Sequence, residues 1–203
     1  GLASLTQAML SRGIDTLVDG AHAPGMVPLD LEQLRPAYYT GNLHKWVCAP
    51  KGAAFLWVRS DRQDEIQPAV ISHGNNTPRP GYSRFTDRFD WAGTLDPTPW
   101  FCVGPTLRWM NNLLPGGWAT LRRHNHELVV RARRILCRRL GSRPPCPERM
   151  LGAMATLPLP EAFQGQARTG RIDDEQSRLH DAFGVETMFY RFGTPERRYF
   201  RVS

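Results

Sequence analysis

Apolar residues recur at helical spacing across residues 4–12, where Leu5, Met9 and Leu10 form one face and Gly13 follows as a stop. Residues 14–18 form a short run of strand length closed by Asp19-Gly20. Residues 29–34 predict a helical turn opened by Asp30. Residues 37–40 predict a second strand, and residues 53–58 a third, more strongly apolar one. Helix, strand, loop, helix, strand is the rhythm of an α/β layer built on a mainly parallel sheet.

The pattern then changes. Residues 79–99 are rich in Pro, Gly, Asp and aromatics without a period, which predicts a long ordered loop, a kind of segment that in compact domains usually carries function. Residues 103–114 and 118–140 read as helices broken by Pro115-Gly116-Gly117. The Pro-rich stretch 141–147 is the expected boundary between a larger domain, residues 1–140, and a small α+β domain, residues 141–203. The latter is expected to hold a strand near 154–157, a helix over 173–183 and strands over 185–192 and 198–202.

Composition adds a constraint. With 41% hydrophobic and 22% charged residues, the 203-residue chain has the make-up of a soluble globular protein. No stretch approaches the roughly 20 apolar residues of a membrane span. The start of the chain has no basic segment leading into an apolar one, so no secretory leader is read there. Cys48, Cys102, Cys137 and Cys146 lack zinc-site or disulfide-framework spacing, and a reducing cytoplasm is the expected location. Of the 26 basic residues all but Lys45 and Lys51 are Arg, so covalent amine chemistry has only two candidate side chains. The arginines at 122, 123, 131, 133, 134, 138, 139 and 143 lie on a helical stretch without interleaved aromatics or a nucleic-acid-binding module. They read as a solvated helix face, and no nucleic-acid or membrane partner is expected.

Two positions carry candidate chemistry. Asp19 follows a strand, where open α/β sheets bind ligands, and Gly20-Ala21-His22-Ala23-Pro24-Gly25 then lets the backbone approach a ligand while adding an imidazole. Alone, this reads as a turn-capping Asp beside a surface His. About 25 residues later comes Gly41-Asn42-Leu43-His44-Lys45-Trp46, again at a strand end, where a lone Lys reads as solvated. The combination is more specific than either half. Pyridoxal-phosphate (PLP) chemistry needs a lysine for a Schiff base and a carboxylate to keep the pyridine nitrogen protonated.

With Pro50-Lys51-Gly52 ahead of the third strand, these segments resemble the class V aminotransferase family of fold type I PLP enzymes, which carry Asp-x-Ala-[His/Gln]-x-x-Gly, then His-Lys, then Pro-x-Gly. Residues 39–46 and the run Trp91-Ala92-Gly93-Thr94-Leu95-Asp96-Pro97-Thr98 are similar to the isopenicillin N epimerase-like branch. Leu43 departs from the small residue that many relatives place before His-Lys. The resemblance implies a fold type I large-domain portion followed by a small C-terminal α+β domain. It implies that Asp19 pairs with the pyridinium nitrogen and that His22 lies near the cofactor's phenolic oxygen. Lys45 would form the Schiff base and then exchange the substrate Cα proton, with Asn42 and His44 on the phosphate side. Gly93-Thr94 resembles a segment that reaches the partner's cofactor phosphate in a homodimer with shared sites; its other reading is a simple turn. Arg201 resembles the arginine that holds a substrate carboxylate, a task suited to a planar guanidinium, and otherwise reads as an exposed arginine.

The resemblance also implies an N-terminal half not contained in these residues, so the chain is expected to be a fragment, inactive by itself. The expected function is PLP-dependent action on an amino acid through Cα deprotonation, with epimerisation, lysis and transamination all open. Cysteine desulfuration is disfavoured, because no Cys follows Cys146 to take up sulfur. The alternative is an inactive homologue or fragment serving as a binding or structural subunit.

Overall fold

The computed structural model describes residues 1–165 and 173–203, and these divide into two compact units, Gly1–Leu113 and Leu114–Ser203. In the first unit, helix α1 (Leu2–Leu10) precedes strand β1 (Leu17–Asp19). The turn α2 (Leu31–Leu34) is started by Asp30, whose carboxylate accepts the Gln33 N–H at 2.9 Å. Strands β2 (Tyr38–Asn42) and β3 (Ala54–Val58) complete a three-stranded sheet in the order β1-β2-β3. Asp19 is thus the last residue of β1.

β1 and β2 are parallel, with Asp19 opposite Thr40, whereas β2 and β3 are antiparallel, with Asn42 opposite Ala54. The sheet is therefore mixed, not mainly parallel over this stretch. The cause is the connection: a parallel pair needs a crossover, which the α2 region supplies, while residues 43–53 simply turn the chain back. Ala37, Tyr39, Val47, Ala53 and Val58 are buried in this unit.

Residues 79–99, expected as loop, contain a helix. After the turn α3 (His73–Asn76), α4 (Arg84–Asp90) is started by Ser83, whose hydroxyl accepts the Thr86 N–H at 3.1 Å. Phe85 and Phe89 stack one turn apart at 4.7 Å, and the buried Asp87 accepts the Arg79 side chain at 2.7 Å. Helices α5 (Thr98–Phe101) and α6 (Val103–Asn111) close the unit.

The second unit begins with α7 (Gly117–Leu140). It continues through β4 (Ala155–Pro158), α8 (Asp174–Phe183), β5 (Met188–Phe192) and β6 (Arg197–Val202). The sheet is antiparallel with β6 central, in the order β4-β6-β5. The compact division falls ahead of α7, whereas the sequence places the boundary after it. Arg133 on α7 donates to the Cys146 carbonyl at 2.7 Å, and Arg134 grips both oxygens of Glu148 at 2.7 and 2.6 Å, so the Pro-rich connector is tied to the helix. Arg133 is also 3% exposed, which corrects its reading as part of a solvated face. Among the described residues no helix is long and apolar enough to cross a membrane.

Candidate active site

Because β1 and β2 run parallel, their carboxyl ends lie at one sheet edge, and the Gly20 N–H extends the ladder to the Thr40 carbonyl at 2.9 Å. Asp19 and Asn42 end these two strands, and the chain after each turns back over the edge. After Asp19, the Ala21 N–H donates to its Oδ1 at 3.0 Å, so the carboxylate does cap its own turn. Gly20 is required there: a Cβ would collide with the buried Tyr39 ring on β2. Burial pushes the Tyr39 phenol above its ordinary value, and the nearby Asp19 charge adds to the shift.

The second loop holds Lys45. Ala49 donates to the Leu43 carbonyl at 3.0 Å and Cys48 to the Lys45 carbonyl at 3.1 Å, while Val47 and Ala49 are buried beneath. Cys48 adopts a φ of 63°, sparsely populated for a side-chain-bearing residue, and closes the turn. His44 lies 3.0 Å from the Ala53 carbonyl through Nδ1, and since that oxygen only accepts, Nδ1 carries a proton.

Gly25 joins the loops. At its φ of 80° a Cβ would lie 2.7 Å from the Trp46 carbonyl, so only glycine permits this approach. The approach sets the His22 ring between two side chains of the other loop: Nε2 is 3.2 Å from Lys45 Nζ, and Nδ1 accepts the Trp46 indole N–H at 3.3 Å. Among the described residues neither Lys45 nor Asp19 forms an ion pair. The edge thus offers an amine, an imidazole and an exposed carboxylate.

Asp19, His22, Asn42, His44 and Lys45 are therefore gathered on neighbouring loops or strand ends. Thr94 lies in the same unit on an exposed segment, after Gly93 at a φ of 114°. Arg201 lies on β6 of the second unit, opposite Thr156 and Met188. Trp46 and Tyr39 are the contributions that motif reading missed. The sequence signals for them were the glycines at 20 and 25, each marking a close approach by something larger. Among the described residues no cluster of His, Cys, Asp and Glu is placed to hold a metal ion.

Solved structures define the class. The chain superposes over its whole length on half of a cysteine desulfurase from Thermococcus onnurineus, with TM-score 0.71 at 16% identity. It likewise covers 52% of an alanine–glyoxylate aminotransferase from a Nostoc species, with TM-score 0.71 at 14% identity. The fold is that of the fold type I PLP-dependent enzymes. The family model for class V aminotransferases matches residues 2–147, and the chain belongs to that family. It is 35% identical over 171 residues to the isopenicillin N epimerase of Streptomyces clavuligerus, covering 78% of this chain and 42% of that enzyme. To a putative L-cysteine desulfhydrase of rice it is 31% identical over 183 residues, covering 88% of this chain and 36% of that protein. The chain thus spans less than half the length of these curated relatives.

The cofactor of this class is pyridoxal 5'-phosphate, and the residues present fit it. Its aldehyde requires an amine and its ring nitrogen a carboxylate. Asp19 ends β1 and Lys45 stands in the loop after the adjacent β2, with the His22 ring against the amine.

Proposed function

We propose that this chain carries the lysine-bearing part of an enzyme that removes the Cα proton of an amino acid, leading to epimerisation or to loss of a Cβ sulfur group. The observation that supports this reading is the 3.2 Å contact of Lys45 with His22, which lies three residues after Asp19 in the loop that follows β1. Bound PLP supplies an aldehyde for the lysine and a ring that accepts the electron pair left by the departing proton. Asp19 supplies negative charge for a protonated ring nitrogen. Lys45 would hold the cofactor, and its free amine would take and return the Cα proton. His22 orients that amine, while Asn42 and His44 are proposed to lie on the phosphate side, where the Asn42 amide N–H groups can donate to phosphate oxygens. The two outcomes are favoured over transamination by the relatives named above, an epimerase and a desulfhydrase, and both require the same first proton transfer.

Thr94 is proposed to serve a partner subunit's phosphate in a homodimer, and Arg201 to hold the substrate carboxylate. Full activity from a sedimenting monomer rules out the first role.

The test of the function is direct. The protein mixed with PLP is expected to absorb in the region of 400 nm and to lose that band on borohydride reduction, with the reduced adduct mapped to Lys45. Lys45→Ala is expected to abolish the adduct while the circular dichroism stays unchanged. An adduct at wild-type level in the variant, carried by Lys51, refutes the assignment; no adduct in either leaves a binding or structural subunit as the reading.

A further inference from the structure

Trp46 has no place in the roles above, yet its indole is aimed at the ring that faces the lysine. Its Nε1 lies 3.3 Å from Nδ1 of His22, while Nε2 of that ring lies 3.2 Å from Nζ of Lys45. An indole N–H can only donate, and a neutral imidazole has one donor and one acceptor nitrogen. The indole therefore requires the lone pair of His22 on Nδ1 and leaves the ring proton on Nε2, pointed at the lysine. Two donors facing each other there would repel. The contact is satisfied when the lysine nitrogen presents a lone pair.

We propose that Trp46 is a positioning residue that sets the His22 tautomer, so that His22 donates to the Lys45 nitrogen and favours the lone-pair-bearing amine that attacks a carbonyl. In that attack the lone pair forms the bond to the aldehyde carbon. The C=O becomes C=N, and the oxygen leaves as water with the two amine hydrogens. The backbone supports the arrangement from both sides. Gly25 brings the His22 loop against the Trp46 carbonyl, and the buried Val47 anchors the next residue. The proposal rests on Lys45 being the cofactor lysine, but the tautomer can be read without cofactor.

The experiment uses the ligand-free protein with nitrogen-15-labelled histidine, in which two-bond proton–nitrogen correlations report where each ring proton resides. At neutral pH the His22 ring is expected as the Nε2–H form. Trp46→Phe removes the donor, and replacing Trp46 by benzothienylalanine removes it while keeping the ring volume, which guards against simple misfolding. Both are expected to populate the Nδ1–H form and to slow borohydride trapping of PLP on Lys45 about tenfold, the scale of one lost hydrogen bond. A wild-type ring in the Nδ1–H form, variants that keep the wild-type tautomer, or an unchanged trapping rate would each overturn the proposal. Absence of any Lys45 adduct in the wild type defeats instead the cofactor-lysine reading, while the tautomer still decides what Trp46 does.

Discussion

The Arg198 site of the second unit and the Asp19–Lys45 edge of the first handle charge in opposite ways. In the second unit, Arg198 is 1% exposed, and every polar end of it is engaged: Nε donates to Asp173 at 2.9 Å, a second nitrogen meets the other Asp173 oxygen, and a third donates to the Phe163 carbonyl at 3.0 Å. Asp173 also receives the Glu175 N–H at the start of α8. In the first unit, Asp19 ends β1 and Lys45 stands in the loop after the adjacent β2, and neither forms an ion pair among the described residues. Closed pairs of the first kind hold elements together, because separating them leaves a desolvated charge. Open groups of the second kind make, among the described residues, only single local contacts, Asp19 with the Ala21 N–H and Lys45 with His22, and no charge pair. That difference agrees with the proposed chemical role of the first site and the structural role of the second.

The sharpest break of that contrast is at Asp19. Asp19→Asn keeps the shape and the oxygen that caps Ala21 but removes the charge. In an assembled active enzyme, Cα-proton exchange of a deuterated amino acid is expected to slow roughly a thousandfold or more, about 4 kcal/mol at 1.36 kcal/mol per tenfold. The melting temperature is expected to stay within a degree or two. An exchange rate within tenfold of wild type would reduce Asp19 to its turn-capping hydrogen bond.

Much of this contrast could be read from residue order, and the reasons it could not be completed are physical. Asp19 and Lys45 stood out because two strand-end motifs coincide, and local signals such as Asp30 before α2 depend only on near neighbours. The direction of β3 depends on what the 43–53 connection does in space. The need for Gly20 depends on Tyr39, which arrives from another strand. Ser83 did announce α4, but a one-residue cap is easily lost among the prolines and glycines around it. The ties from two arginines of α7 to the connector after residue 140 span 13 and 14 positions, beyond what local patterning reads.

On the closed side, Asp173→Ala leaves the Arg198 guanidinium buried with its main partner gone. A loss of about 3 kcal/mol in unfolding free energy is expected, at the lower end for breaking a buried pair. Arg198→Met in the same background is expected to recover part of it, since an apolar chain of similar length suits the Phe189 and Phe200 surroundings better than a guanidinium that has lost its carboxylate. Urea titration reads both variants, and PLP trapping on Lys45 should match wild type throughout. A variant that is fully stable would show the pair to be solvated in solution.

The smallest effect concerns a second arginine of the same strand. Side chains alternate along β6, so Arg198 shares the buried face with Phe200, while Arg201 lies on the opposite face with Tyr199. Arg201 is half-buried and forms no ion pair among the described residues, which makes it the second unit's counterpart of the open groups in the first. An amino-acid carboxylate is planar and accepts two parallel hydrogen bonds from a guanidinium, whereas an ammonium supplies the charge without that geometry. Arg201→Lys is therefore expected to raise the amino-acid concentration for half-saturation about tenfold, and to let the substrate Cα bonds wander from the orientation that selects proton loss. PLP trapping on Lys45 is expected to be unaffected, because the guanidinium is proposed to meet substrate and not cofactor. The measurement is a spectral titration of the PLP-loaded enzyme with a panel of amino acids and the matching amines that lack the carboxylate. Amino acids should lose affinity in the variant and the amines should not. Equal losses for both, or none for either, would return Arg201 to the surface and remove it from the substrate-holding role.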